Sequence, residues 1–590
     1  MNSPDRNVNV QLPAPQMFVV LCVALAYCLP GLIGHQPWKP DEGYIFAGIF
    51  HMLQSGDWVV PHLAGEPFME KPPLYHWMGM ITASLTSAFL PTHDGARLAS
   101  GVFVGMALFA TALAGRLAWG AGSGRIAVLV MLGTLGLLNT VPLMLPDLPL
   151  LAGFAFATLG LVAHAAQRKW AFLALGTGVG MGFLAKGLLA PGAIVIAALA
   201  LPVCFAQWRE RRYAIFLLFA ALVALPWLTI WPILLYVRDS AAFTTWLWDN
   251  NIGRFLGFSV ATLGAASENG FWVKAFPWFV FPWWIFIALC LWRTRARCLN
   301  ETGMQVGLAV ALSLSLVLAM AGSARVIYAL PMLPALALAT TGTFRQTSRR
   351  LWSTLSALGL MLAIGVGLLT WFFWGALTYF GQTPDWQWIA RQVPVHFLLP
   401  ISPFNVLFSV ALTAGLVAIV VQARRQAHGQ LLVWTASLAV AWALPMVLLM
   451  PWIDTAKGYR GVYDSMVTAL PSSYSCIESE QLGESERGIL EYMHGIRTVR
   501  REVSPNASCP FLLRQIKTAE TPSPKGEWEL FWVGGRQSAG NERFQLYASS
   551  LLEEGRLHGE ILRRSAVAAN LLLARPDGNP PYLDEVSNVD

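Results

Sequence analysis

Charge is what this sequence has least of. Asp, Glu, Lys and Arg make up 12% of its 590 residues and hydrophobic residues 55%, against about 25% charged in an ordinary soluble domain. So little charge cannot keep a surface of this size in water, so a purely soluble protein is excluded and a polytopic membrane protein is indicated. Cysteine is scarce as well. Seven occur, none in a CxxC or Cys/His spacing, which removes a closed zinc site. A phosphate-cradling Gly loop is absent, and so is any internal repeat. The first absence removes a P-loop or dinucleotide site, and the second argues against the paired-repeat architecture of many transporters. No nucleic-acid partner is expected; the expected surroundings are membrane lipids.

What is present is a series of apolar runs from Met17 to about residue 451. Each is near the ~20 residues that a helix needs to cross a bilayer, and together they predict about 13 spans. Arg116 and Arg125, Arg168 and Lys169, Arg209, Arg211 and Arg212, Arg293, Arg295 and Arg297, Arg345, Arg349 and Arg350, and Arg424 and Arg425 fall in alternate loops. The positive-inside rule makes those loops cytoplasmic. The segments 35–77 and 236–270 and everything after Pro451 then lie on the opposite face.

After Trp452 the composition shifts to 15 Lys and Arg against 19 Asp and Glu in the last 138 residues. Residues 453–590 are therefore expected to form a separate soluble domain, and residues 1–452 the membrane domain. Strand-like pieces at Cys509 to Ile516, Trp528 to Val533 and Phe544 to Tyr547 alternate with helical ones at Gly458 to Ala469 and Glu484 to Met493, a pattern that predicts a small α/β module. Cys476 and Cys509 are the two cysteines in it. On an oxidising face an isolated pair is expected to close into a disulfide.

The first outer loop concentrates the scarce charge. Pro40-Asp41-Glu42 opens a segment in which Ile45, Phe46, Ile49, Phe50 and Leu53 recur at three- and four-residue spacing. This predicts an amphipathic helix lying on the membrane, with Asp41 near its N-cap. Glu70-Lys71-Pro72-Pro73 closes the loop, where two prolines fix the backbone that aims the charged pair. Trp58, Tyr75 and Trp77 are expected as interfacial anchors. Two acidic sites and a lysine held at a membrane face can present a site to a lipid headgroup.

With these residues in view, the loop resembles that of the membrane-embedded GT-C glycosyltransferases, specifically the aminoarabinose (lipid A) transferase branch related to protein O-mannosyltransferases. The resemblance rests on Asp41-Glu42, Ser55-Gly56-Asp57-Trp58 and Glu70-Lys71-Pro72-Pro73 at matching spacing. It continues through "PDLPL" (Asp147), "GFLAKG" (Lys186), "NNIGRF" (Arg254) and "RVIYALPMLP" (Arg325, Tyr328). Two positions depart from it: Tyr44-Ile45 stand where the family carries Arg-Tyr, and Asn250 where it carries a histidine.

The resemblance implies an all-α GT-C membrane domain with a periplasmic C-terminal domain in the bacterial inner membrane. It implies transfer of a sugar, 4-amino-4-deoxy-L-arabinose being one candidate, from a polyprenyl-phosphate carrier to a lipid A-type or other envelope lipid or glycan acceptor. Protein O-mannosyl transfer is an alternative, and a lipid or sugar transporter a more distant one. Asp41, Glu42 and Glu70 are the expected catalytic residues. Lys71, Lys186, Arg254, Arg325 and Tyr328 are expected at the donor phosphate, and Asp147 and Asn250 elsewhere in the cavity. The resemblance fixes no cofactor; a divalent cation is a candidate and would fall to Asp41 and Glu70.

The residues themselves support a phosphodiester donor. A charged side chain in or beside a span costs about 2.5 to 3.5 kcal/mol on insertion scales, so Lys186, Arg254 and Arg325, all on the side that the positive-inside rule leaves poor in cations, ask for a reason. Arginine grips phosphate oxygens bidentately and lysine supplies a point charge. The departing phosphate then needs electrostatic stabilisation more than it needs an acid, and attack from the opposite side predicts inversion of the anomeric centre.

Overall fold

Backbone N–H and C=O groups in lipid must find partners within their own segment, and a helix is how one open chain does that. The computed structural model describes residues 16–263, 270–344, 346–423, 429–516, 524, 528–536 and 542–549. Arg345, Arg424 and Arg425, which entered the topology argument, lie outside those residues.

Among the described residues seven helices are long and apolar enough to cross a membrane: Thr92–Trp119, Asp147–Ala165, Arg211–Arg238, Thr302–Met320, Arg349–Phe380, Pro403–Ala423 and Gly429–Leu448. Phe271–Phe279 and Trp283–Thr294 together pass the same test but are bent by 84°; Pro282, at the break, has no N–H to continue the ladder. Five apolar helices are shorter, namely Met17–Cys28, Ser123–Leu132, Ala171–Lys186, Leu189–Cys204 and Val326–Gly342. The apolar runs thus fold as helices of unequal length rather than as a uniform series of spans. The run from Ile126 to Val141 shows the reason, since its helix stops at Leu132 and resumes only for Leu135–Leu138.

The loop helix Asp41–Ser55 is buried from Glu42 to Ile49 and again at Met52. It is therefore not a helix lying with one face in water. One side packs on the membrane helices, and the other is covered by the helix Glu484–His494 of the C-terminal module, close enough that a Cβ on Gly43 would lie 2.6 Å from Ser485 Cβ. Ser55-Gly56-Asp57-Trp58 ends the helix. Gly56 takes φ 69°, a left-handed value that favours glycine. Asp57 Oδ1 accepts from the amides of Val59 at 2.9 Å and Val60 at 3.3 Å, and a two-residue hairpin follows, β1 (His62–Leu63) with β2 (Glu66–Pro67). Tyr75 is fully buried with its hydroxyl 2.6 Å from Ser100 Oγ, so it is a core residue rather than an interfacial anchor. Trp58 is exposed.

The membrane helices lead through Met450–Lys457 into the C-terminal module. Its sheet comprises β3 (Ile477–Glu480), β4 (Val499–Arg500), β5 (Phe511–Ile516), β6 (Trp528–Gly534) and β7 (Arg543–Ser549) in the order β4-β3-β5-β7-β6. β3 pairs in parallel with β4 and β5, whereas β7 pairs antiparallel with β5 and β6. Helices Arg460–Ala469 and Glu484–His494 pack with it around Tyr463, Leu490, Phe511 and Phe544. Cys476 and Cys509 are joined by a disulfide, Cα–Cα 5.2 Å.

Candidate active site

Asp41 is the first residue of its helix, and its position there follows from Pro40, which can precede a helix but cannot continue one from behind. Its carboxylate accepts from Tyr44 Oη at 3.0 Å, one helical turn on, and faces Arg325 Nη1 at 3.7 Å. Burial raises the Asp41 pKa. Arg325 and the Tyr44 hydrogen bond pull it back, and the neighbouring Asp147 and Glu70 charges push it up again, leaving it above the ordinary carboxylate value.

Glu70 and Lys71 form a second centre. Glu70 Oε1 accepts from Lys71 Nζ and from Arg254 Nη1, each at 2.7 Å. Arg254 Nη2 donates onward to Tyr328 Oη at 3.2 Å. Burial acts to raise the Glu70 pKa, but the two cations outweigh it and bring the value down to about 2.

A third pair completes the cluster. Asp147 begins one helix and Lys186 ends the next, and the two meet at 2.5 Å with side chains 7% exposed. The Lys186 ammonium also lies 3.5 Å from the centroid of the Tyr328 ring, a cation–π contact with the same tyrosine whose hydroxyl accepts from Arg254. Six residues from five separate segments, Glu70, Lys71, Asp147, Lys186, Arg254 and Tyr328, thereby form one connected polar network, and Asp41 lies beside it with Arg325, near enough to feel the Glu70 and Asp147 charges.

One predicted residue is elsewhere. Glu42 turns into the core, where it is 2% exposed. Its Oε1 accepts from Arg97 Nε at 2.9 Å and the Met144 amide at 3.1 Å, and its Oε2 from the Trp38 amide at 3.0 Å. None of these partners belongs to the Asp41 cluster. Successive residues on a helix point about 100° apart, and only one of an adjacent pair can face the site. Asn250 bonds the Thr245 carbonyl at 3.3 Å; its neighbour Asn251 reaches the Lys186 turn, accepting from the Leu188 amide at 3.2 Å. Tyr44 was not among the predicted site residues, although its three-residue spacing from Asp41 on a helix was the available signal.

A divalent cation does not fit this donor set. Glu70 already accepts from two cations on one oxygen, and Asp41 faces a third. Among the described residues no group of three or more His, Cys, Asp and Glu side chains converges. Four cationic side chains around these carboxylates suit an anionic ligand.

Residues 70–231 match the family described as dolichyl-phosphate-mannose-protein mannosyltransferase. The chain is 30% identical over 296 residues to the undecaprenyl phosphate-alpha-4-amino-4-deoxy-L-arabinose arabinosyl transferase of Serratia proteamaculans, covering 48% of this chain and 51% of that one. It is 28% identical over 294 residues to the transferase of the same name from Pseudomonas aeruginosa, covering 48% of each. The alignments thus span about half the length of these curated relatives. The crystal structure of ArnT from Cupriavidus metallidurans bound to undecaprenyl phosphate superposes with a TM-score of 0.60 over 91% of this chain and 99% of that one, at 16% identity. The chain thus shares the fold of that transferase. Within that fold the polar site lies where the loop helix, the Glu70 turn and the ends of several membrane helices come together.

Proposed function

We propose that this protein transfers a sugar from a polyprenyl-phosphate carrier to an envelope acceptor, with 4-amino-4-deoxy-L-arabinose as the sugar and lipid A as the acceptor. The observation that carries the proposal is the gathering of Lys71, Lys186, Arg254 and Arg325 about Asp41, Glu70 and Tyr328. Such a site can hold a phosphodiester and stabilise its charge as it leaves. The acceptor oxygen forms the new bond to the anomeric carbon, the sugar–phosphate C–O bond breaks, and its electron pair departs with the polyprenyl phosphate. Lys71, Lys186 and Arg254 are poised for that growing negative charge without reorganising. Asp41, with its elevated pKa, is the base when the acceptor is a hydroxyl, and it orients an acceptor that is already ionised. Displacement from the opposite face inverts the anomeric centre.

Sidedness follows from single helices. Asp147 begins the helix that ends at Ala165, just before Arg168 and Lys169, and the next helix runs from Ala171 to Lys186. The site residues and the loop cations therefore occupy opposite helix ends, which supports a site on the periplasmic side under the positive-inside rule. In sealed proteoliposomes supplied with undecaprenyl-phosphate-linked aminoarabinose and lipid A, mass spectrometry should find glycosylated lipid A and free undecaprenyl phosphate in equal amounts. Movement of the donor across the bilayer without product would instead mark a transporter. The family match over residues 70–231 favours a second reading, protein O-mannosylation; transfer from a mannosyl-phosphate lipid to a Ser/Thr peptide in the same assay would select it.

A further inference from the structure

Lys39 stands two residues before Asp41 and outside the polar site. Its ammonium lies 2.5 Å from Glu486 Oε1 and 2.7 Å from Glu542 Oε1, both in the C-terminal module. The two carboxylates are buried, with side chains 1% and 9% exposed. Gln515 Nε2 donates to both at 2.9 and 2.8 Å, Tyr459 Oη to Glu486 Oε1 at 3.2 Å, and Arg536 Nη2 lies 2.7 Å from Glu542 Oε2. Buried like charges side by side are costly unless cations and hydrogen bonds satisfy them. Lys39 and Arg536 are the two cations that do so.

The contact continues along the chain. Ser485 Oγ donates to the Pro40 carbonyl at 2.5 Å, and the same serine packs on Gly43. Lys39, Pro40 and Gly43, on either side of Asp41, thus meet the start of the Glu484–His494 helix. Its own helix begins at Pro40 with no side-chain cap. A first turn without a cap has four N–H groups lacking intrahelical partners and is the part of a helix most prone to fray.

We infer that the C-terminal module positions Asp41 for the transfer reaction, with Lys39 as the positioning residue that ties the uncapped first turn to Glu486 and Glu542. The inference rests on the role given to Asp41 in the proposed function. It assigns the module a task in rate rather than in carrier binding, because the donor cations Lys71, Lys186 and Arg254 lie on other segments. A misplacement of about 1 Å at a reacting group can cost on the order of 100-fold in rate.

The test uses the full-length protein in detergent with undecaprenyl-phosphate-linked aminoarabinose and lipid A. Lys39→Met should lower kcat by roughly 10- to 100-fold with KM for the donor within about 2-fold, and Lys39→Arg should recover most of the rate. If Lys39→Met fails to fold, Lys39→Met/Glu542→Gln keeps the charge balanced and carries the same expectation. Hydrogen exchange of the peptide covering residues 41–47 should quicken in the methionine variants and not in Lys39→Arg. Normal kcat in the folded methionine variants, a loss confined to KM, or unchanged exchange at residues 41–47 would overturn the inference. Absence of transfer by the wild-type protein would refute the proposed function instead, and the exchange measurement would still decide whether Lys39 holds the turn.

Discussion

Replacing Tyr44 with Phe removes one hydroxyl and leaves the packing of a buried ring. The hydroxyl donates to Asp41 Oδ1 at 3.0 Å, so it favours the charged carboxylate. Hydrogen bonds to charged groups contribute about 1.5 to 3 kcal/mol, and partial access to water at Asp41 argues for the lower end. A loss of about 1.4 kcal/mol is ten-fold in the protonation equilibrium. Burial already raises the Asp41 pKa, and Tyr44 is among the groups that pull it down. Its removal must therefore move the pKa further up. If Asp41 acts as a base, the acid limb of kcat against pH moves to higher pH in Tyr44→Phe. The rate on that limb should fall about ten-fold while the alkaline plateau stays near wild type. The assay is initial-rate transfer to lipid A across pH 4 to 9, followed by mass spectrometry. An unmoved acid limb in a folded Tyr44→Phe protein would refute the assignment of Asp41 as the group that titrates.

Asp41→Asn keeps the shape and removes the charge, and turnover should drop by about 100-fold or more in the same assay. Lys186→Met strands the Asp147 carboxylate, which should cost roughly 3 kcal/mol, read as a lower Tm in detergent; Lys186→Met/Asp147→Asn should regain the Tm but not the wild-type KM for the polyprenyl-phosphate donor. Glu70, held down to about 2 in the folded protein, contributes stability that is full above its unfolded value near 4.5 and is lost as pH falls toward 2. Denaturation of Glu70→Gln should accordingly lose less stability than wild type between those pH values. The Cys476–Cys509 bond closes a loop with a sequence separation of 33 and should stabilise the module by about 3 to 4 kcal/mol on the chain-entropy account; both thiols should resist labelling in denatured, unreduced protein.

Much of the site was legible because its residues break a rule. Lys186, Arg254 and Arg325 are cations on the face that usually lacks them, and Glu70-Lys71 sits before a double proline, so each stood out against apolar sequence before any contact was visible. Glu42 stood out for the same reason, and the structure gives it another task, because hydropathy reports a charge without reporting its direction around a helix. The C-terminal strands β5, β6 and β7 were legible as apolar alternation. β3 was not, since it reads Ile-Glu-Ser-Glu and buries Glu478. That carboxylate is satisfied by Arg501 and by the Cys509 amide, partners that no local pattern announces. The helix Asp41–Ser55 carried the expected apolar spacing, but its other face was hidden in sequence because its cover, the helix Glu484–His494, comes more than 400 residues later.

That separation has a consequence for biosynthesis. Lys39 and Glu542 are 503 residues apart, and at about 5 to 20 residues per second a ribosome takes roughly 25 to 100 s to supply the second after the first. Until the helix Glu484–His494 is made, the membrane helices insert one after another while the loop helix has no cover and Lys39 neither carboxylate. A nascent chain stopped before Glu542 would hold every membrane-spanning helix described above and still lack one arm of the clamp beside Asp41. Synthesis of Glu542 is then a checkpoint on the first loop, and a carrier lipid meeting the growing protein before it would meet an unassembled turn.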